Sequence, residues 1–160
     1  MDSIDRAILR ELQADGRLTN QELSERVNLS PSPCLRRVRN LEKAGIIEGY
    51  TAQVNQEAYG LPINVFLTIR LERPDEELIN KFESAVKGID EILECYLMTG
   101  STDYILRIVT ADLKTYEQLI KKRITKIPGI GSLESSFAFG LVKKTNQFPS
   151  LRTIIGMKAI

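Results

Sequence analysis

The sequence predicts an α+β protein of two domains, an N-terminal winged helix-turn-helix and a C-terminal ferredoxin-like βαββαβ domain. Two observations lead to this expectation. The first part of the chain places apolar residues at helical spacing in three short segments. From Ile63 onward, apolar and polar residues alternate as they do in a strand. We expect domains at residues 1–54 and 63–146, a hinge at 55–62 and a C-terminal tail at 147–160.

Composition narrows the class of protein. With 42% hydrophobic and 27% charged residues, the 160-residue chain resembles ordinary globular proteins. Its apolar runs fall well short of the roughly 20 residues of a membrane helix, and its charged start is unlike a signal peptide. The sequence has two cysteines, Cys34 and Cys95, which are expected to be reduced, and this favours a cytoplasmic protein. The sequence contains no histidine, which excludes a Ser-His or Cys-His nucleophile pair and a His-bearing zinc site. It also shows no acidic cluster that suggests an all-oxygen metal site and no cofactor fingerprint, so we expect no catalytic residue, no metal site and no cofactor.

Three helices are expected in the first domain. The first spans about Ser3 to Asp15. The second begins at Thr19, where Glu22 completes the spacing of a capping box. The third opens at Ser30 with two prolines in its first turn and runs to about Lys43. A turn of a few residues between the last two helices predicts a helix-turn-helix.

A wing and the ferredoxin-like βαββαβ domain, here called the plait, complete the predicted fold. Residues 46–54 form two β-like runs about Gly49, which predicts a hairpin directly after the third helix. The second domain then shows the order strand, helix, strand, strand, helix, strand, with the last strand over about 133–142. Helices cover one face of such a sheet. We expect the bare face to be rich in apolar side chains and therefore to be buried against a second copy.

The third helix carries a candidate DNA-reading face. At about 100° per residue, Leu35, Val38 and Leu41 form an inner stripe, and a polar stripe lies opposite. Arginine pairs with guanine and asparagine with adenine, while serine and lysine reach phosphates. Backbone amides at the start of the second helix are a further candidate phosphate contact. The candidate DNA-binding residues are Asn20, Gln21, Ser30, Ser32, Pro33, Arg36, Arg37, Arg39, Asn40 and Lys43. A solvated, charged helix face is the alternative interpretation of this stripe.

A glycine-containing turn is the candidate small-molecule site of the second domain. It joins the two central strands through Thr99, Gly100, Ser101 and Thr102, and small residues there allow a ligand to approach the backbone. Asp103 supplies a carboxylate that could meet an ammonium group. The last predicted strand adds hydroxyls nearby. On these residues alone, a plain β-turn with a capping aspartate is the favoured interpretation.

The ordered motifs resemble the Lrp/AsnC family of leucine-responsive, or feast/famine, regulators from Ile4 to about Asn146. The most specific matches are residues 5–6, 8–9, 15–17, 29–34, 37–38, 41–42, 45–47, 49–50, 100, 103–104 and 128–130. The resemblance implies double-stranded DNA as a partner, homodimers that often assemble into higher oligomers such as octamers, and an amino-acid effector bound between dimers. It implies effector-binding residues at Leu97, Thr99, Gly100, Ser101, Thr102, Asp103, Tyr104, Ser135, Ser136 and Phe137. Apolar residues among and beside these suggest leucine, methionine or a similar effector.

Two other functions stay open at this stage. The first is an amino-acid-binding metabolic regulatory subunit that does not bind DNA, because plaits also occur in such subunits. The second is RNA binding through the sheet, which usually requires exposed aromatic residues on the central strands. Tyr96 and Tyr104 are available there, but they lie among aliphatic residues that favour burial.

Overall fold

A computed structural model describes residues 1–73 and 75–149, and it divides into two compact units. One consists of Met1–Gln53 together with the chain from Val142, and the other of Val54–Leu141. Most of the predicted tail, including the choice between a flexible end and a packing arm, lies outside the described residues. None of the helices in the described part is long and apolar enough to cross a membrane.

Three helices build the first unit: α1 (Ser3–Ala14), α2 (Asn20–Arg26) and α3 (Pro31–Lys43). Their buried contacts are made by Ile8, Leu23, Cys34 and Leu41. The predicted capping box is confirmed, since the Thr19 hydroxyl accepts from the Glu22 amide and the Glu22 carboxylate accepts from the Thr19 amide. A second capping box, which sequence analysis missed, joins Asp2 and Asp5 at the start of α1.

Left-handed backbone marks both boundaries of α3. Asn28, in the turn before it, has φ 54°, as its residue type predicts. Gly45, after it, has φ 67°, and the amides of Gly45 and Ile46 donate to the carbonyls of Glu42 and Leu41. This pair of hydrogen bonds is a Schellman motif, which requires a residue that tolerates positive φ at the glycine position.

The predicted wing hairpin is wrong in its secondary structure. Residues 46–54 contain no regular strand. Ile46 and Ile47 instead donate their amides to the Leu41 carbonyl and so finish the end of α3. Tyr50 and Val54 follow with more than half of their surface exposed. Their β-branched and aromatic character fits a strand, but a strand also needs a paired neighbour, and the described residues supply none for this segment.

The second unit has the predicted plait topology. Its elements are β1 (Ile63–Leu71), α4 (Glu76–Lys87), β2 (Ile92–Leu97), β3 (Tyr104–Thr110), α5 (Leu113–Lys122), a short 3-10 helix (Ile124–Lys126) and β4 (Ile130–Phe137). The strands are antiparallel in the order β2-β3-β1-β4. The ferredoxin-like expectation is therefore confirmed. The last strand, however, ends at Phe137 rather than near residue 142, and beyond it Phe139 and Val142 are fully exposed.

The helices cover one face of this sheet, and the opposite face is more polar than expected. Alternate residues of β1 and β3 point to the helices and are buried, as Leu67, Ile69 and Leu106 are. The open face shows Phe66, Tyr96, Ile105 and the buried Val109 among polar and charged side chains, namely Asn64, Thr68, Arg70, Glu94, Arg107, Glu134 and Ser136. The expectation of a face rich in apolar residues is therefore wrong, because each strand directs most of its apolar residues to the helix side.

Candidate DNA interface and effector site

The exposed face of α3 presents the predicted polar stripe. Ser32, Arg36, Asn40 and Lys43 are exposed, and so is Arg39, while Pro33 is half-buried. The stripe faces outward because the other side of the helix buries its residues in the three-helix core. One residue of the predicted inner stripe was misplaced. Leu35 is 37% exposed and lies outside the core, whereas Cys34 is fully buried in its place.

The start of α3 leaves polar groups available. Ser30 is the N-cap of the helix, yet its hydroxyl makes no capping hydrogen bond. Two prolines occupy the first turn, at Pro31 and Pro33, so these positions have no amide hydrogen to satisfy. The positive end of the helix and an uncommitted, exposed serine hydroxyl together suit contact with a phosphate.

Arg37, which sequence analysis included among the DNA contacts, is bound to α1. Its guanidinium Nη1 lies 2.8 Å from an oxygen of Asp2 and 2.7 Å from one of Asp5. The hydrogen bonds to Asp5 and Asp2 raise the pKa of Arg37. The pKa of Asp2 is lowered by its capping hydrogen bond from the Asp5 amide and then by Arg37. The two carboxylates therefore cap α1 and orient α3 at the same time. Aspartates three positions apart at the start of the first helix are the signal that could have revealed this.

Asn20 also makes an internal contact. Its side-chain Nδ2 donates to the Pro31 carbonyl at 2.9 Å, which ties the start of α2 to the start of α3. Its Oδ1 is buried without a partner among the described residues. Gln21, the neighbouring candidate, is exposed and donates to Glu25 within α2.

The turn between β2 and β3 is open and exposed. Gly100 has φ 117°, a conformation that side-chain-bearing residues rarely adopt, and a Cβ there would meet nothing within 4 Å. Thr99 and Ser101 are exposed, and Leu97 before them is 70% exposed. The turn thus offers unobstructed backbone to a ligand, as its small residues predict.

Asp103 fixes the end of this turn to the neighbouring strand. Its Oδ2 accepts from the Leu71 amide at 2.7 Å, and its own amide donates to the Ile69 carbonyl at 3.0 Å. Its carbonyl accepts from the Met98 amide at 2.8 Å, which closes the turn. The carboxylate therefore has a capping role, and its second oxygen has no hydrogen bond within the described part of the chain.

Tyr104, a predicted effector contact, instead belongs to the core under the helices. It is 2% exposed, and its ring centroid lies 4.5 Å from that of Phe82. Its hydroxyl donates to the Glu83 carboxylate at 3.0 Å. Burial, reinforced by this carboxylate, raises the pKa of Tyr104 to about 12. Its side chain therefore lies away from the exposed surface of the turn, and its role as an effector contact stays a prediction. Its alternation with Leu106 and Ile108 is the signal that could have placed it.

The remaining effector candidates lie at the other edge of the sheet. The Ser135 hydroxyl is 2.5 Å from that of Tyr116, whose ring packs edge-on against Phe137, while Ser136 points to the open face. Since β4 is separated from β3 by β1, these residues are about 10 Å away across the sheet. They are also displaced along the sheet, by about 7 Å for Ser135 and about 13 Å for Phe137, because Leu133 is the residue of β4 that is level with Tyr104. One chain alone does not bring the two groups together.

Comparison with protein families matches the N-terminal helices and the C-terminal sheet domain to two separate family models. Residues 1–48 match the family described as winged helix-turn-helix DNA-binding, and residues 64–148 match the Lrp/AsnC ligand binding domain. Together with the fold, these matches define the class of protein: a DNA-binding transcription regulator with a ligand-binding domain.

Individual relatives resemble the chain over nearly its whole length. The leucine-responsive regulatory proteins of Klebsiella pneumoniae and Escherichia coli K12 are 42% identical over 147 residues, 92% of this chain and 90% of each relative. A Neisseria meningitidis transcriptional regulator, solved as an L-Met complex, has a TM-score of 0.90 at 37% identity and covers 96% of this chain and 99% of its own. An AsnC family regulator from Agrobacterium tumefaciens has a TM-score of 0.89 at 34% identity, with 97% and 99% covered. The chain belongs to the Lrp/AsnC family, as its sequence motifs predicted.

Proposed function

We propose that this regulator reads DNA with α3 and responds to an amino acid bound at the turn after β2. The observation that carries the proposal is the pairing of two separate surfaces in one chain. One is a helix face of exposed arginine, asparagine, serine and lysine, and the other is an exposed glycine turn that ends in an anchored aspartate.

For the DNA interface, we assign base contacts to Arg36 and Asn40, which stand one helical turn apart on the exposed face. Arginine and asparagine are suited to guanine and adenine edges respectively. We assign phosphate contacts to Ser30, Ser32, Arg39 and Lys43, whose hydroxyl and cationic groups suit the backbone. Arg37 and Asn20 are assigned to orientation of α3, on the contacts that they make with α1 and with Pro31.

For the effector, we propose an α-amino acid with an apolar side chain. The second oxygen of Asp103 is suited to its ammonium group, and the backbone around Gly100 leaves room for it. Leu97 and Met98 supply exposed apolar surface beside the turn. The L-Met complex of the Neisseria relative and the names of the leucine-responsive relatives favour methionine and leucine as first probes.

A second copy of the chain is part of this proposal. A site that includes both the Gly100 turn and Ser135–Phe137 needs two chains, because these groups lie at opposite edges of one sheet. We therefore propose a homodimer that assembles further, to an octamer or another even-numbered state, with operator half-sites arranged as an approximate palindrome. Light scattering of the purified protein, with and without L-methionine, tests the assembly.

The decisive experiment measures binding of the purified protein to its own upstream DNA by fluorescence anisotropy, with unrelated DNA as competitor. L-leucine, L-methionine and a panel of other amino acids are added in turn. The proposal expects specific binding that an apolar amino acid changes by about 5- to 150-fold. An amino acid that binds while no DNA is bound would instead support the metabolic regulatory subunit. Specific DNA binding without any response would remove the effector from the proposal.

A further inference from the structure

The segment that follows the first unit is folded onto itself. Residues 55–61, here called the connector, begin with the Asn55 side chain accepting from the Ala58 amide at 2.8 Å. The Leu61 amide donates to the Gln56 carbonyl at 3.1 Å, and the Gln56 side-chain Nε2 donates back to the Leu61 carbonyl at 2.7 Å. These reciprocal bonds close a compact turn just before β1. Its position in the chain was predicted to be a hinge.

One arginine on the open face of the sheet binds this connector. The Nη2 of Arg107, on β3, donates to the Gln56 Oε1 at 3.3 Å. The orientation of the Gln56 amide is set by its other bond, because Nε2 faces the Leu61 carbonyl and so Oε1 faces the arginine. Arg107 also donates to Glu94 on β2 at 3.0 Å and to Asn64 on β1 at 3.4 Å. A single guanidinium, which is 25% exposed, thus links β1, β2 and β3 to the connector.

The same two strands carry the candidate effector turn. Glu94 precedes the end of β2 at Leu97, and Arg107 follows Asp103 by four positions on β3. A ligand that changes the pairing of β2 with β3 at the turn would therefore change the separation of Glu94 and Arg107 within the same ladder. Arg107 would pass this change to Gln56, and the connector leads directly into the DNA-binding unit along the chain.

We propose that Arg107 is a positioning residue that holds the connector on the sheet and couples effector binding to DNA binding. The inference rests on the proposed amino-acid response, and it adds a residue that touches neither ligand. A planar guanidinium with several donors suits this task, because it can bind Glu94, Asn64 and Gln56 at once. Coupling is a free energy between two sites, and the test measures it directly.

The experiment compares Arg107→Met and Gln56→Leu with Arg70→Met in the full-length chain. Arg70 is an exposed arginine on the same sheet face, with no side-chain hydrogen bond or ion pair among the described residues, so its variant is the matched control. Hydrogen exchange of the Tyr59, Gly60 and Leu61 amides reports on the connector without any ligand. Operator affinity with and without L-methionine and L-leucine reports on coupling, and calorimetry measures amino-acid affinity.

We expect faster exchange of the connector amides in both test variants and unchanged exchange in Arg70→Met. We expect amino-acid affinity within twofold of the wild type, while the ratio of operator affinities with and without amino acid moves at least threefold toward one. Unchanged exchange, or faster exchange with an unchanged ratio, would overturn the proposal. If the wild type responds to no amino acid, the proposed effector fails separately. In that case faster exchange with a changed ligand-free operator affinity supports the positioning role, and an unchanged affinity overturns it.

Discussion

The two candidate surfaces of this protein differ in how many elements are needed to build them. The DNA-reading face belongs to one helix, whose far side is buried on the other two helices of its unit. The effector candidates come from the β2–β3 turn at one edge of the sheet and from β4 at the other. A reading surface on a single helix can be complete within one chain. A pocket requires several elements to converge, and the β2–β3 turn and β4 do not converge within the described part of the chain.

This contrast explains why the internal contacts of the two regions have different roles. Around α3, Arg37 and Asn20 bind neighbouring helices and set the orientation of a face that is already assembled. Around the turn, Asp103 binds β1 and Tyr104 binds α4, and these contacts fix the start of β3 beside the proposed effector site, which the proposed second copy would complete. Substitutions near α3 should therefore alter only the affinity or the specificity of DNA binding. Substitutions near the turn should alter the response of the whole assembly.

The largest effect is expected from Asp103→Asn. An asparagine oxygen can still accept from the Leu71 amide, so the turn stays anchored, but the charge that would meet the ammonium group is gone. Loss of one partner of such a pair costs about 2–5 kcal/mol, so amino-acid affinity should fall roughly 30-fold or more. Calorimetry with L-methionine or L-leucine checks this. Because the turn and α3 form separate surfaces, we expect the operator affinity measured without amino acid to stay unchanged.

Asp103→Ala is the informative partner of that variant. It removes the charge and also leaves the Leu71 amide without its acceptor, which should lower the free energy of unfolding by about 1–3 kcal/mol. A loss of amino-acid binding in the alanine variant alone would show that the carboxylate serves only the turn. That outcome would contradict the proposed ammonium contact.

The next largest effect is expected at the reading face. Replacing Arg36 or Asn40 by alanine should reduce the preference for operator over random DNA by about 1–3 kcal/mol per residue. Lys43→Ala is the matched variant, because loss of a phosphate contact should weaken both DNAs alike and reduce the salt dependence. Competition anisotropy at several salt concentrations separates the two patterns. An unchanged operator-to-random ratio in an Arg36 or Asn40 variant would remove that residue from the base contacts.

Much of the fold was predictable because local patterns and burial agree. The alternation from Ile63 to Leu71 gave the bounds of β1 that the structure shows, since one full face of that strand is buried by helices. Pro31 and Gly45 similarly delimited α3, through the low cost of proline in a first turn and the left-handed backbone after a helix. These signals depend on a few residues that are close in sequence, so they do not change with the arrangement of the other elements of the chain.

The candidate site was less predictable, because it depends on which elements become neighbours. Ser135 and Phe137 were placed with the turn on the basis of family resemblance, whereas the strand order sets them at the other edge. The β-like residues 46–54 were interpreted as a hairpin from their composition, yet pairing is a tertiary property. Leu35 was assigned to the core from helical spacing, which does not decide between adjacent positions such as Cys34.

A smaller effect is expected from Asn20→Ala, which tests whether this residue orients α3 or contacts DNA. Removing the hydrogen bond to the Pro31 carbonyl should lower the free energy of unfolding by about 1 kcal/mol. Gln21→Ala is the control, since Gln21 is exposed and bonds only along its own helix among the described residues. Urea denaturation measures both. If Asn20→Ala weakened DNA binding without any loss of stability, a direct contact would be the better interpretation.

The smallest effect, and the one most confined to the second unit, is expected from Tyr104→Phe. Loss of the hydrogen bond to the half-buried Glu83 should cost about 0.5–1 kcal/mol at pH 8. Because the pKa of Tyr104 is raised from 10 to about 12 in the folded chain, the neutral phenol stabilises the fold fully below pH 10. That contribution is lost as the pH rises from 10 to 12. Since one unit of pKa shift corresponds to about 1.4 kcal/mol, the advantage of wild type over Tyr104→Phe should shrink and then reverse across this interval. Urea denaturation at pH 8 and pH 11 measures it, with Tyr59→Phe as an exposed control. A difference that stays constant with pH would show that Tyr104 ionises alike in the folded and unfolded chains, contrary to its buried position beside Glu83.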